Sequence, residues 1–178
     1  DAGLVAASHL GFGVLEAFST MLDHCRGGPT HDPAGDTACP CLQPGHDTPL
    51  RVNGTGEFHQ CLNLTREVVK DLSETTEANS TWMKHSPQKD MRFVAYDFYA
   101  TAATMALEES SHELSVDAKS SFTASARDLL QGGEQLCAGD YSQFKDKHTA
   151  KKTNVLKIER ACFGIAYILA LLEEYGIA

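Results

Sequence analysis

The stretch Thr153–Ile177, TNVLKIERACFGIAYILALLEEYGI, decides the fold. Asn154 is a helix N-cap residue, because its side-chain oxygen accepts from a free backbone N–H of the first turn. Val155, Ile158, Cys162, Ile165, Leu169 and Leu172 recur at steps of three and four, the period of one helix face. From Ala161 to Leu172 the segment is apolar nearly all round, which predicts burial on most sides. Glu173 and Glu174 return it to solvent. Gly176 is placed to adopt the left-handed conformation after the last turn, with Ile177 folding back as in a Schellman ending. The apolar run is shorter than the roughly 20 residues that a bilayer requires. It reads as the central helix of a soluble domain, tied to the rest of the chain through Cys162.

Around this helix stand 178 residues, enough for one ordinary domain with a real core. Fifteen Lys and Arg against 24 Asp and Glu give a formal charge of −9. That argues against a general nucleic-acid binder, which needs a basic stripe to neutralise phosphates, but leaves room for one nucleotide in a local pocket. Six cysteines occur with three sequons, Asn53-Gly54-Thr55, Asn63-Leu64-Thr65 and Asn79-Ser80-Thr81. An even cysteine count with sequons points to an oxidising compartment, secreted or extracellular/lumenal, rather than to a cytosolic chain with chance sequons and free thiols. Neither a signal peptide nor a transmembrane run is read. The start at Asp1, without an initiator Met, fits a mature, processed or partial chain.

In chain order, a short apolar stretch at Asp1–Leu10 precedes a helix at Val14–Cys25, with Val14, Leu15, Phe18, Met21, Leu22 and Cys25 on one face. Residues 26–49 hold five of the six prolines and four glycines around Cys39-Pro40-Cys41, and read as a disulfide-stapled loop. Asn53-Gly54 between short flanks is a hairpin-turn signal. His59–Leu72 reads as a helix with Cys61, Leu64, Val68, Val69 and Leu72 inward. Ser73–Asp90 is a polar connection. Phe93–Tyr96 has the character of a strand, and Asp97–Leu107 that of a helix. Glu108–Val116 is a polar break. Asp117–Leu136 is helical again, with Phe122, Ala126, Leu129, Leu130 and Leu136 inward and Gly132-Gly133 as a weak point. Cys137–Lys152 is a polar connector. No internal repeat is present.

Little catalytic chemistry is legible. Cys39 and Cys41 with His24, Cys25, His31 and His46 lack the two-to-four-residue spacing of structural zinc sites, so disulfides are the better reading. Eight scattered histidines yield no nucleophile–base order, and His9 and His112 read as ordinary polar or core residues. The chain has no P-loop, dinucleotide fingerprint or HExxH. Phe93, Tyr96, Phe98 and Tyr99 form the densest aromatic cluster, suited either to the core or to a ligand. Asp97, within it, is the carboxylate of most interest, with a helix N-cap as the plainer alternative.

Several stretches, in order, resemble the C-terminal part of the apyrase family, the ecto-nucleoside triphosphate diphosphohydrolases. Ser8-His9-Leu10-Gly11-Phe12-Gly13, followed by Glu16-Ala17, resembles that family's HSYLGYG segment. Cys41-Leu42-Gln43-Pro44-Gly45 is similar to its C-F/L-x-x-G loop, and Gly54-Thr55-Gly56-Glu57-Phe58-His59-Gln60-Cys61 to its GTGNYxxC. Phe93-Val94-Ala95-Tyr96-Asp97-Phe98-Tyr99 resembles its fifth signature, FxAFSAFYY. Cys137 and the run from Ala161-Cys162-Phe163-Gly164 to Tyr175-Gly176-Ile177 resemble its last two cysteines and its ending. The matches span nearly the whole chain.

The resemblance implies a mainly α fold with a small β component, residues 1–178 forming the helical part of the second lobe of an actin/hexokinase-like (RNase H-like) two-lobe α/β enzyme. It implies the disulfides Cys137–Cys162 and Cys41–Cys61, leaving Cys25–Cys39. It implies that the catalytic residues, the phosphate-binding signatures and most ligands of a Mg²⁺ or Ca²⁺ ion lie outside these residues, so that the chain alone does not hydrolyse nucleotides. What the second lobe contributes in that family is the base side of the cleft. The family's stacking Tyr falls at Thr101, or at Tyr99 with a shift of two. A second stacking Tyr falls at Ala161, and a nearby Arg at Lys157. With both aromatic plates replaced, Tyr96, Tyr99, Lys157 or Arg160 would give looser contacts, and base specificity would be broad. The implied partners are a nucleoside tri- or diphosphate and the N-terminal lobe of the same enzyme. Nucleic acid is not implied, and homo-oligomerisation is left open. The end at Ala178, with no anchor following, fits a soluble, secreted member. The competing reading is a non-enzymatic, secreted, disulfide-bonded helical module that binds a protein partner.

Overall fold

The computed structural model describes residues 13–27, 37–46, 52–75, 97–110, 123–174 and 176, with the side chains of 73–75 left aside. Among the described residues the fold is mainly helical with one small sheet. In chain order the elements are α1 (Val14–Gly27), β1 (Thr37–Cys39), β2 (Val52–Gly54), α2 (Phe58–Thr75), α3 (Asp97–Glu109), α4 (Ala126–Ala138), α5 (Tyr141–Ala150), α6 (Val155–Glu159) and α7 (Ala161–Glu174).

The C-terminal segment is central, but it is two helices. Asn154 caps α6, its Oδ1 accepting from the Leu156 N–H at 2.9 Å. The chain then turns at Arg160 (φ −104°, ψ 7°) before α7 begins. The break separates Ile158, which is buried, from Val155 and Leu156, which stay exposed, so Val155 does not share the buried face expected of it. α7 packs against α2, α3 and α4 and is buried without interruption from Ala161 to Tyr167. Phe163 and Tyr167 stack at 5.4 Å, Phe18 of α1 meets Phe163 edge-on at 5.5 Å, and Tyr99 of α3 lies 6.4 Å from Tyr167. Such ring pairs each contribute about 0.5–1.5 kcal/mol beyond their buried area. Gly176 adopts φ 68° as expected, its N–H donating to the Glu173 carbonyl at 2.9 Å; Ile177 lies outside the described residues.

Four local expectations need correction. Asn53-Gly54 is not a hairpin turn: both residues sit in β2, which pairs parallel with β1 in the register Ala38–Asn53 and Cys39–Gly54. Gly54 stands there because the chain at Gln43 crosses it, and a Cβ would lie 2.0 Å from the Gln43 carbonyl oxygen. The 137–152 connector contains α5, capped by Asp140, whose Oδ1 accepts from the Gln143 N–H at 3.0 Å, with Tyr141, Phe144 and His148 inward at helical spacing. Residues 123–125 are not helical, and α4 begins after a capping box in which Ser125 Oγ accepts from the Asp128 N–H and Asp128 Oδ2 accepts from the Ser125 N–H. Gly132-Gly133 is a packing contact, not a weakness. A Cβ on Gly132 would come 2.5 Å from the Ala106 carbonyl oxygen, and one on Gly133 would come 2.4 Å from the Phe58 ring.

Three disulfides close the structure: Cys25–Cys39 joins α1 to β1, Cys41–Cys61 joins the loop after β1 to α2, and Cys137–Cys162 joins α4 to α7. They are the pairs that the resemblance implies. Of the stapled loop 26–49, residues 37–46 and the end of α1 are described. The segments 1–12, 76–96 and 111–122, with His9, Phe93, Tyr96, His112 and Phe122, lie outside the described residues.

Candidate functional site

α3 carries Asp97, Thr101, Thr104 and Glu108 at spacings of four, three and four, which puts them along one face. Asp97 opens the helix with φ 50°, a left-handed conformation that Asp tolerates better than most residues. Its side chain does more than mark the helix start: Oδ1 accepts from Lys157 Nζ of α6. Thr101 Oγ1 donates to the Asp97 carbonyl at 2.7 Å and accepts from Lys157 Nζ at 3.3 Å. Lys157 is therefore held between a carboxylate and a hydroxyl, and its three-donor ammonium has one N–H beyond these two partners.

Further along the same face lies an open pocket of about 270 Å³, lined by Thr101, Thr104 and Glu108 from α3 and by His148, Lys151 and Thr153 from α5 and the turn after it. His148 is buried beneath it, its ring 4.4 Å from that of Phe144. Its Nε2 is 3.4 Å from Glu109 Oε1, and its Nδ1 is 3.8 Å from Glu108 Oε2. Burial lowers the His148 pKa below 6.5, outweighing the two carboxylates that pull it upward. The lysines answer those carboxylates instead: Lys147 Nζ reaches Glu109 at 2.6 Å, and Lys151 Nζ reaches Glu108 at 2.8 Å. Each Glu is thereby tied to a cation. The face as a whole offers donors and acceptors at fixed positions, suited to holding polar atoms at the edge of a small molecule.

The residues expected to touch a base divide into two groups. Thr101 and Lys157, 56 positions apart in sequence, are brought together. Tyr99 points elsewhere, half-buried against Phe98 at 5.9 Å and Tyr167 at 6.4 Å. Arg160 lies over the Phe18 ring at 5.4 Å, its Nε buried and without a hydrogen-bond partner. Ala161 is fully buried at the α6–α7 junction and offers no surface to a ring. Tyr96 and Asn79 fall outside the described residues, whereas Asn53 and Asn63 are exposed. Thr104, Glu108, His148 and Lys151 were not anticipated. The Thr101/Thr104/Glu108 spacing was available in the sequence, but its partner face depends on α5.

The cysteine–histidine cluster does not assemble as a zinc site. Cys25, Cys39 and Cys41 are all in disulfides, His24 pairs with Asp71 at 2.9 Å, and His46 stacks on Tyr141 at 4.0 Å. Among the described residues, no three His, Cys, Asp or Glu side chains come together as metal ligands. No helix among them is long and apolar enough to cross a membrane. No family model, curated protein or solved structure matches the chain.

Proposed function

We propose that this chain is the base-binding part of a secreted apyrase-type hydrolase of nucleoside tri- and diphosphates, the helical portion of its second lobe. On this reading the α3–α6 face meets the nucleobase. The observation that carries the proposal is the contact of Lys157 with Thr101. In the register set by Phe93-Val94-Ala95, these two positions take the places of the family's nearby Arg and stacking Tyr, and members of one base pocket must be neighbours in space. The ordered motifs and the three disulfides support the same reading, and the disulfides are compatible with a secreted or extracellular setting.

The chemistry of the face favours tolerance. Every nucleobase carries ring-nitrogen or carbonyl acceptors, and the Lys157 ammonium suits any of them. A hydrogen bond to such a charged donor contributes roughly 1.5–3 kcal/mol. A lost aromatic plate removes about 1–3 kcal/mol of stacking per base. The base is then held by one charged contact and flanking hydroxyls, which discriminate weakly. The Mg²⁺ or Ca²⁺ ion implied by the resemblance would be held mainly by residues outside this chain. Asp97, Glu108, Glu109 and Glu173 are each paired with Lys or Arg.

Turnover of ATP, GTP, CTP and UTP by the two-lobe protein containing this chain tests the proposal. Rates within about tenfold of one another, a spread of roughly 1.4 kcal/mol, are expected. A strong preference for one base, or no turnover of any, contradicts it. The exposed Val155 and Leu156 favour a second reading, a helical module that docks on a protein, under which the chain binds no nucleotide.

A further inference from the structure

We infer that the two described sequons differ in use: Asn53 is the N-glycan site, and Asn63 is closed to glycan transfer by formation of the Cys41–Cys61 disulfide. The inference rests on passage through an oxidising, glycosylating compartment, which the proposed function also assumes.

In the sequon Asn53-Gly54-Thr55, Asn53 and Gly54 end β2 and Thr55 follows the strand directly. Asn53 and Thr55 are both exposed. The sequon's backbone is anchored by the pairing of Asn53 with Ala38 and by the Thr55 N–H donating to the Cys39 carbonyl at 3.0 Å. The carboxamide and hydroxyl are thus presented together, and a bulky glycan on Asn53 projects into solvent.

Asn63-Leu64-Thr65 lies inside α2. At 3.6 residues per turn, positions two apart point to different sides of a helix. Asn63 is exposed and accepts from Arg66 Nη1 at 2.7 Å, while Thr65 is completely buried and donates to the Cys61 carbonyl at 2.7 Å. The Thr65 hydroxyl also sits 3.8 Å from Cys41 Sγ and 3.9 Å from Cys61 Sγ. Once the disulfide locks the start of α2 onto the loop after β1, the hydroxyl that a sequon must expose is sealed beneath it.

Glycan transfer forms a bond between Asn Nδ2 and C1 of the first sugar. The C1–oxygen bond to the lipid pyrophosphate donor breaks, Nδ2 loses one proton, and the lipid pyrophosphate departs. At Asn63 this reaction competes with closure of Cys41–Cys61, so its occupancy depends on how early the disulfide forms.

The test is to express the full chain through a eukaryotic secretory pathway, release glycans enzymatically in ¹⁸O-water, and measure occupancy at both asparagines by peptide mass spectrometry. Cell-associated and secreted protein are both collected, so a variant that fails to fold is still measured. Expected are occupancy of Asn53 on most molecules and of Asn63 on a small minority. Occupancy of Asn63 should rise at least threefold in Cys41→Ala, and in the wild-type chain pulsed with dithiothreitol. Full occupancy of Asn63 on molecules that carry the disulfide overturns the inference, as does an Asn63 occupancy unchanged by both treatments. An empty Asn53 with all three disulfides formed overturns the assignment of the glycan. Empty sequons together with free thiols overturn the compartment on which both this inference and the secreted reading rest, without touching the nucleotide face.

Discussion

Lys157 of α6 and Asp97 of α3 are 60 residues apart in sequence and form an ion pair, with the Thr101 hydroxyl beside it. The Asp97 side chain is largely exposed, and that of Lys157 is about one-quarter exposed. Surface pairs of this kind contribute about 0–1 kcal/mol to stability. Folding and binding therefore separate at this residue: Lys157→Ala should leave the urea midpoint nearly unchanged but weaken nucleotide affinity at least tenfold. Asp97→Asn keeps a residue that tolerates φ 50° yet frees the ammonium, and should tighten binding. Titration calorimetry of both variants checks the opposite signs.

The glycine pair of α4 makes a prediction against helix propensity. Ala is favoured over Gly in a helix interior by roughly 1 kcal/mol. A Cβ at Gly132, however, would meet Ala106 backbone on α3, which cannot swing aside as a side-chain tip can. Overpacking of this kind costs about 1–3 kcal/mol. Gly132→Ala should therefore destabilise on balance, seen as a lower midpoint in denaturant. A gain in stability would mean that α3 and α4 are not in such close contact.

His148 ties stability to pH with a definite sign. Its pKa is lowered on folding by burial, so below 6.5 the unfolded chain takes up a proton that the native state resists. Its contribution is fully present above about pH 6.5 and is lost as pH falls from there through the folded-state pKa. His148→Gln removes this part of the pH dependence. Comparing midpoints of the wild type and this variant at pH 7.5 and 5.5 isolates the effect, and the wild type should lose more stability over that interval.

The Cys137–Cys162 bond closes a loop across 25 positions and clamps α4 onto α7. Replacing both cysteines by Ala should cost about 2–4 kcal/mol, the usual range for such a crosslink. Chemical denaturation of the double variant checks this value.

The elements with strong apolar periodicity were legible: α1, α2 and α3 lie where the pattern puts them, and α7 is the C-terminal part of the helix read from Asn154. Leu15, read onto the inward face of α1, is instead exposed, because the buried face of that helix runs through Ala17, Met21 and Cys25. What escaped depended on tertiary contact. α5 is polar on most of its surface, and its inward set of Tyr141, Phe144 and His148 is too sparse to stand out without the Asp140 cap. The break at Arg160 interrupts a run whose spacing fits one continuous helix. Gly54 and Gly132-Gly133 carry turn and flexibility signals in isolation, and only the passing chain at Gln43, Ala106 and Phe58 gives them their purpose. The candidate face was half legible: Thr101 and Lys157 came from the resemblance, and Asp97 came from its place in the aromatic run. Glu108, His148 and Lys151 belong to a surface that exists once α5 is folded.

The most direct measurement is amide chemical-shift mapping of the full chain titrated with ATP, and in parallel with inorganic triphosphate and with adenosine. Saturable shifts centred on Thr101, Thr104 and Lys157 are expected with ATP and adenosine, lost in Lys157→Ala, and none at these positions with triphosphate alone. An absence of saturable shifts, or shifts that follow triphosphate rather than the base, would contradict a base-binding face on α3 and α6.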